Sequence, residues 1–488
     1  MTTSLILPAL VLLPLLGAAA VLALRRKTEH ALGTLVLAVT AVAFALGIRL
    51  AGLAARTEAV SWRLGSLFLS ADRVTALLIL VFSGLFVLII LFARGLIGHE
   101  VDEQFVPKYY AACLAMLSAL LAAALAQDLF TMYLLLEVVT ACAAVLVAAK
   151  GDKPAVEAAV RYIMVNMVCS ALLLMGTAGV FRTTGCLLLA DIARTLPAAL
   201  EAHTLPVMAS LALIVVGAAG KAALFPLHSW LPQAHGSAAT PSSVVISGLL
   251  VKVNIVFLFK FFTQAVPADL LRWLPVRPIL LVMSVGAIIG GSLMALKQTD
   301  IKRMLAYSTV AQVGYIFLGF SLMNETAVVG SLFHILNHAV VKGMLVLAAG
   351  SIMKLTGRRR IADFAGVGRR FPLPMVVFAV GSLSMVGIPP LSGFVSKWYL
   401  GMGALDAHQP LLIAVLLLSS LLNALYYLPV VIGAFFRSGS NIEQHLELTV
   451  GAQAAMVMLA VACILLGLFS SSVIGYIQPA VHRLFVGA

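Results

Sequence analysis

The sequence predicts an all-α polytopic membrane protein of about fourteen transmembrane helices, on three observations. Of 488 residues, 62% are hydrophobic and only 10% charged, and the mean hydropathy is +1.09; a soluble domain carries about 25% charge. Apolar runs near the ~20 residues that cross a bilayer recur along the whole chain. The loops between them are short, so no soluble catalytic module fits. Scarce charge excludes a water-soluble enzyme, a disordered chain and a nucleic-acid binder, despite a formal net charge of +13.

The first span covers 5–24. It reads as a membrane span rather than a secretory leader, since no charged segment precedes the apolar run and Arg25, Arg26 and Lys27 follow it. Charge or turn clusters then bound spans at 31–53, 74–92, 109–126, 129–149 and 159–181. The seventh, 205–236, is long and interrupted by Pro226 and Pro232. Spans at 242–263, 279–296, 305–322 and 327–353 follow. The twelfth, 375–405, is interrupted by Gly387-Ile388-Pro389-Pro390, and 411–436 and 450–475 complete the set.

Proline removes a backbone donor and clashes with the preceding turn, so the seventh and twelfth helices should be broken. Broken helices survive in a bilayer only against protein or a wet cavity. Their recurrence five spans apart predicts an internal repeat, a pattern of transporters. The chain then divides into three N-terminal helices (1–104), two five-helix repeats (105–263 and 279–436) and a final helix (450–488).

Loops after odd-numbered spans hold 18 Lys and Arg, and those after even-numbered spans, with Arg49 and the C-terminal tail, hold 10. Odd loops are therefore expected in the cytoplasm and both termini outside, in a cell inner (plasma) membrane.

Four lysines remain inside predicted spans: Lys221, Lys252, Lys342 and Lys397. Of 19 acidic residues only Glu137 lies well inside one. A charge near the bilayer centre costs roughly 2.5–3.5 kcal/mol on insertion scales, so an intramembrane ionisable residue reads as functional by default. Plainer readings are snorkelling of a lysine to an interface, capping of freed carbonyls by Lys221 and Lys397 near the breaks, and an ion pair at Glu137 that only ties helices. The functional reading is proton handling. Burial disfavours the charged form of a carboxyl or amine and an opposite charge nearby restores it, so a pair whose separation changes becomes a switch.

His334, His338 and Lys342 stand at i, i+4 and i+8 on one helix face, about 12 Å from end to end at 1.5 Å per residue. Imidazoles titrate near neutrality and suit a proton relay; the alternative is that they pack and hydrogen-bond between helices. Asn337 keeps the place polar. Zinc does not fit, since no Cys or acidic ligand accompanies the pair. His228 and His235 flank Trp230-Leu231-Pro232 at the outer part of the seventh span, as a channel mouth or as interfacial anchors. The five cysteines are scattered and read as small apolar residues. No phosphate loop or cofactor motif is present, and no cofactor or metal is expected.

Several segments resemble the antiporter-like subunits shared by respiratory complex I, multisubunit Mrp sodium/proton antiporters and membrane-bound hydrogenases. They are Lys221-Ala-Ala-Leu-Phe-Pro-Leu-His-Ser-Trp-Leu-Pro-Gln-Ala-His235, Ser247-Gly-Leu-Leu-Val-Lys252, Asp300-Ile-Lys-Arg-Met-Leu-Ala-Tyr-Ser-Thr309 with Gln312-Val-Gly-Tyr315, His334-Ile-Leu-Asn-His338 with Lys342, and Gly387-Ile-Pro-Pro-Leu-Ser-Gly393 with Lys397. With Glu137 they cover about residues 105–400.

The resemblance implies a 14-helix core with two inverted five-helix repeats, each holding one broken helix. It implies that Glu137 pairs with Lys221, that Lys252, His334, His338 and Lys342 carry protons across the midplane, and that Lys397 serves a second half-channel. Relatives often have Pro where this chain has Ala239 and Gly where it has Asn254, so the turn into the eighth span and its hydration are expected to depart. Ending at Ala488 without a long lateral helix, the chain looks like the short, D-type member of the family. The run from Ser396 to Leu405 leans toward the hydrogenase and Mrp branch.

The function expected is proton translocation within a multisubunit membrane complex, with other membrane subunits, the bilayer and protons as partners, sodium as a further candidate, and no nucleic acid. The alternatives are a stand-alone secondary transporter of a small solute and a non-pumping structural subunit.

Overall fold

The computed structural model describes residues 5–267, 269–270, 276–438 and 447–486. Helices dominate: α1 (Ile6–Ala23), α2 (Glu29–Arg56), α3 (Arg73–Ala93), α4 (Val106–Leu125), α5 (Leu129–Ala148), α6 (Lys153–Thr184), α7 (Leu189–Ala202), α8 (Thr204–Lys221), α9 (Trp230–Ser237) and α10 (Thr240–Gln264). There follow α11 (Val276–Leu296), α12 (Ile301–Leu322), α13 (Glu325–Thr356), α14 (Pro372–Val386), α15 (Ser392–Asp406), α16 (Leu411–Phe436), α17 (Val450–Leu468) and α18 (Ser470–Val486). Among the described residues, thirteen helices are long and apolar enough to cross a membrane. The remaining expected span, the twelfth, is the broken pair α14/α15, and the whole matches the polytopic all-α class read from the sequence.

Short polar residues start these helices by accepting a free N–H of the first turn. Asp128 accepts from Thr131 N at 2.7 Å, Asp152 from Ala155 N at 2.9 Å, Asp300 from Arg303 N at 2.9 Å and Asn324 from Ala327 N at 2.8 Å. Left-handed glycines end α6 and α13 at Gly185 and Gly357.

The expected breaks occur. α8 stops at Lys221 and α9 begins at Trp230; α14 stops at Val386 and α15 begins at Ser392. Pro226 lies in the first gap, whereas Pro232 sits in the opening turn of α9, where a missing N–H costs nothing. Gly387 takes φ +93 at the end of α14.

Burial sorts the helices. α4, α10, α12 and α13 are almost wholly enclosed. α1, α2, α6, α11 and α16 show apolar residues outward, Leu16, Val42, Met164, Val282 and Leu417 among them. Such faces suit hydrocarbon as solvent, because each helix satisfies its own backbone. The enclosed helices α10, α12 and α13 carry most of the intramembrane charge.

Three features depart from the expected loops. An antiparallel hairpin, β1 (Val60–Leu64) and β2 (Leu67–Ala71), turns at Gly65 between α2 and α3. α7 is an additional short helix between the sixth and seventh spans. The last expected span, 450–475, ends early: α17 stops at Leu468 and α18 starts a separate helix at Ser470.

Candidate functional site

The first group lies where α8 stops. Lys221, its last residue, places Nζ 3.0 Å from Glu137 Oε1 of α5 and donates to Thr140 Oγ1 at 3.0 Å. The Lys221 side chain is fully enclosed, while that of Glu137 is 33% exposed. The pair expected from the resemblance is therefore in contact.

The second group is carried by α10, α12 and α13. α10 contains one π-helical turn, Ile246–Leu250, directly before Lys252. The wider turn leaves the Ser247 carbonyl to the Lys252 amine, which donates to it. On α13, Lys342 donates to Leu305 O at 2.8 Å and to Ser308 Oγ on α12. Ser308 in turn shares a 2.9 Å hydrogen bond with Tyr427 OH of α16. The rings of His334 and His338 stack at 6.0 Å and 13°. His334 Nδ1 lies 2.8 Å from Ser396 Oγ, and Asn337 Oδ1 accepts from Ser392 Oγ at 2.6 Å.

The third group is at the second break. Lys397 donates to Met385 O at 2.8 Å, Val386 O at 3.0 Å and Ser420 Oγ at 2.8 Å. It thereby caps the carbonyls freed where α14 ends, with its ammonium 5.2 Å from the centre of the Tyr315 ring.

The second and third groups form one electrostatic row. The charge of Lys342 acts on Lys252, those of Lys252 and Lys342 on His338, and those of Lys397 and Lys252 on His334. The first group joins this row through Asn254, whose amide donates to Leu250 O at 2.9 Å and reaches the Lys221 carbonyl at 3.5 Å. This is where the residue that departs from the family pattern sits. The other departure, at Ala239, leaves the turn intact: Pro241 opens α10 and Glu100 Oε2 accepts from Thr240 N at 2.6 Å.

His228 and His235, the residues expected at a channel mouth, differ in burial. His228 is half-buried and stacks on Phe225 at 5.3 Å. His235 is fully buried, and the charges of Lys302, Lys342 and Arg359 act on it. Its helix, α9, packs on α6 and α12.

Two lysines read as loop charges are buried. Lys260 of α10 donates to Ala124 O at 2.9 Å and Ala126 O at 2.6 Å at the end of α4. Lys302 donates to Ala238 O at 2.7 Å. The apolar run Phe257–Phe262 around Lys260 was a usable signal; Lys302, one residue inside its helix, gave none. The sequence also left unread the Lys354–Glu100 ion pair at 3.0 Å and the hydroxyls of Thr140, Ser308, Ser396, Ser420 and Tyr427. Serine and tyrosine are common in such helices, and only the tertiary register singles these out. Among the described residues no group of three His, Cys, Asp or Glu side chains converges on a metal position.

Known proteins resemble this chain in sequence and in fold. Residues 126–423 match the family described as NADH:quinone oxidoreductase/Mrp antiporter, TM. NADH-quinone oxidoreductase subunit N of Desulforudis audaxviator is 37% identical over 405 residues, covering 78% of each chain. The D-type Na(+)/H(+) antiporter protein of Alkalihalophilus pseudofirmus is 29% identical over 411 residues, 84% of this chain and 81% of the other. Identity is thus higher to the oxidoreductase relative than to the antiporter relative. In the solved Mrp complex from Dietzia sp. DQ12-45-1b, one chain superposes with a TM-score of 0.90 at 25% identity, covering 100% of this chain and 98% of that one. With the matched region spanning both helix breaks and every buried lysine of the row, this chain belongs to the NADH:quinone oxidoreductase/Mrp antiporter transmembrane family.

Proposed function

We propose that this chain translocates protons through the buried row from Glu137 and Lys221, by way of Lys252, Lys342, His338 and His334, to Lys397. It is an antiporter-like subunit of a multisubunit membrane complex, as its relatives and structural neighbours are. The observation that carries the proton reading is the continuity of the row. Three lysines and two histidines on three helices lie within electrostatic reach of one another, all fully buried except the half-buried Lys397, and a stability role alone rarely retains such groups in a bilayer.

The two five-helix units, 105–263 and 279–436, supply one broken helix each. In this reading Glu137 sets the charge state of Lys221 at the first break, and Lys397 delivers to the second half-channel. The energy comes from partner subunits or an ion gradient. Subunits of the same kind of complex, protons and, as a further cargo, sodium are the partners assigned. The chain lies in a cell inner membrane with both termini outside, as the excess of basic loops on one side supports.

The carbonyl contacts of Lys397 favour a second, structural role at that residue. Lys397→Met separates the two: loss of proton uptake with the complex assembled supports transport, and loss of assembly supports a clamp. For the row as a whole, Lys221→Ala in the purified complex should abolish proton uptake by proteoliposomes under an imposed gradient. Undiminished uptake in the assembled variant would rule the proposal out.

A further inference from the structure

Gln312 is fully buried on α12, and neither its Nε2 nor its Oε1 has a hydrogen-bond partner among the described residues. Both ring nitrogens of His338, also fully buried, are in the same condition, as is Nε2 of His334. Buried polar atoms are nearly always hydrogen-bonded, so five unpartnered ones on two adjacent helices call for a reason.

The register of α12 against α13 brings these atoms together. Ser331 Oγ donates to Ile316 O, the Tyr315 and His334 rings lie 5.4 Å apart, and Lys342 donates to Leu305 O. From Ser331 to Lys342 along α13, the partner on α12 descends from Ile316 to Leu305, nearly one residue for one. Gln312 therefore stands opposite residues 335–337, at the level between His334 and His338.

The chemistry of the two side chains is matched. A neutral imidazole donates from one nitrogen and accepts at the other, and relaying a proton exchanges those roles. A carboxamide offers a donor and an acceptor side by side and can serve either tautomer, directly or through one bridging water. A charged neighbour in its place would bias the ring toward one state.

We propose that Gln312 is a positioning residue of the relay, hydrogen-bonding His338 through a shared water and supporting both tautomers as the proton passes. This rests on the proton-relay reading of the row. The ionisable groups that face His338 are Lys252 from α10, His334 and Lys342 from α13, and, beyond His334, Lys397 from α15.

The test uses the whole complex in proteoliposomes, with proton uptake measured across a pH series. Gln312→Met, close in shape but without donor or acceptor, should lower uptake about tenfold, roughly the worth of one hydrogen bond, and displace the pH profile. Gln312→His should restore both, and Gln312→Asn, one methylene shorter, should fall between. In a His338→Gln background, Gln312→Met should have no further effect. Wild-type uptake and pH profile in assembled Gln312→Met or Gln312→Asn complexes would overturn the proposal, and so would an undiminished Gln312→Met effect in the His338→Gln background. Full uptake by His338→Gln alone would instead remove the relay on which the proposal rests.

Discussion

Lys221 ends α8 with its ammonium between Glu137 and Thr140, and of the ion pair the glutamate keeps partial access to the outside. Truncating one partner of a buried ion pair leaves the other uncompensated, at about 3–5 kcal/mol, and Glu137's partial exposure puts this pair at the low end. Glu137→Ala should therefore lower both thermal stability and proton uptake. Adding Lys221→Met should recover the stability and not the uptake, which melting curves and flux on the same preparations will show.

Glu100, in the loop between α3 and α4, behaves differently. Burial pushes its carboxyl up, but Lys354, Lys302 and the Thr240 N–H together outweigh burial and hold it below the ordinary value of 4.5. A depressed carboxyl contributes stability that is present above the unfolded value and lost as pH falls through the lowered one. Glu100→Gln should reduce the melting temperature at neutral pH, and the difference from wild type should vanish in strong acid. At this scale the sequence exposed the charges whose flanks are apolar on both sides, Glu137, Lys252 and Lys342. It hid Lys302, since a lysine near a helix end looks the same whether its amine reaches water or a carbonyl.

The two breaks were legible because proline and glycine act locally on the backbone. The π turn before Lys252 was not, because nothing in Ile246–Leu250 distinguishes it from an ordinary turn; its cause is tertiary. The hairpin at 60–71 carried a signal, Gly65 between short β-prone runs, that a search for long apolar segments passes over. The second break is closely fitted around Lys397. A Cβ on Gly387 would meet Lys397 Cδ at 3.1 Å, at a backbone φ of +93 that L side chains rarely adopt. Gly387→Ala should cost about 1 kcal/mol or more, lower the melting temperature and reduce uptake by shifting Lys397 from its carbonyls. Gly475→Ala in α18 is the contrast: its Cβ would meet nothing within 4 Å, so uptake should be unchanged and stability equal or slightly higher.

Across the whole molecule, charge follows enclosure. The helices that hold Lys252, Lys260, His334, His338 and Lys342 are those with almost no outward face, while the apolar helices form the rim. Hydropathy found every span yet could not order them from rim to centre, because enclosure depends on which helices neighbour which. The balance of basic loops predicts both termini outside, and labelling of single cysteines added at each end of intact cells, against the same reagent after lysis, checks that assignment.

In the proposed path protons cross through the buried row, and Lys252 is a necessary step in it. Replacing a buried amine with an apolar side chain of similar volume is often neutral or stabilising, so Lys252→Met should assemble with an unchanged set of subunits. Proton uptake by proteoliposomes containing that complex, beside wild type under the same gradient, is the most direct measurement. Uptake should fall to the level of protein-free vesicles. Wild-type uptake by the fully assembled Lys252→Met complex would contradict it.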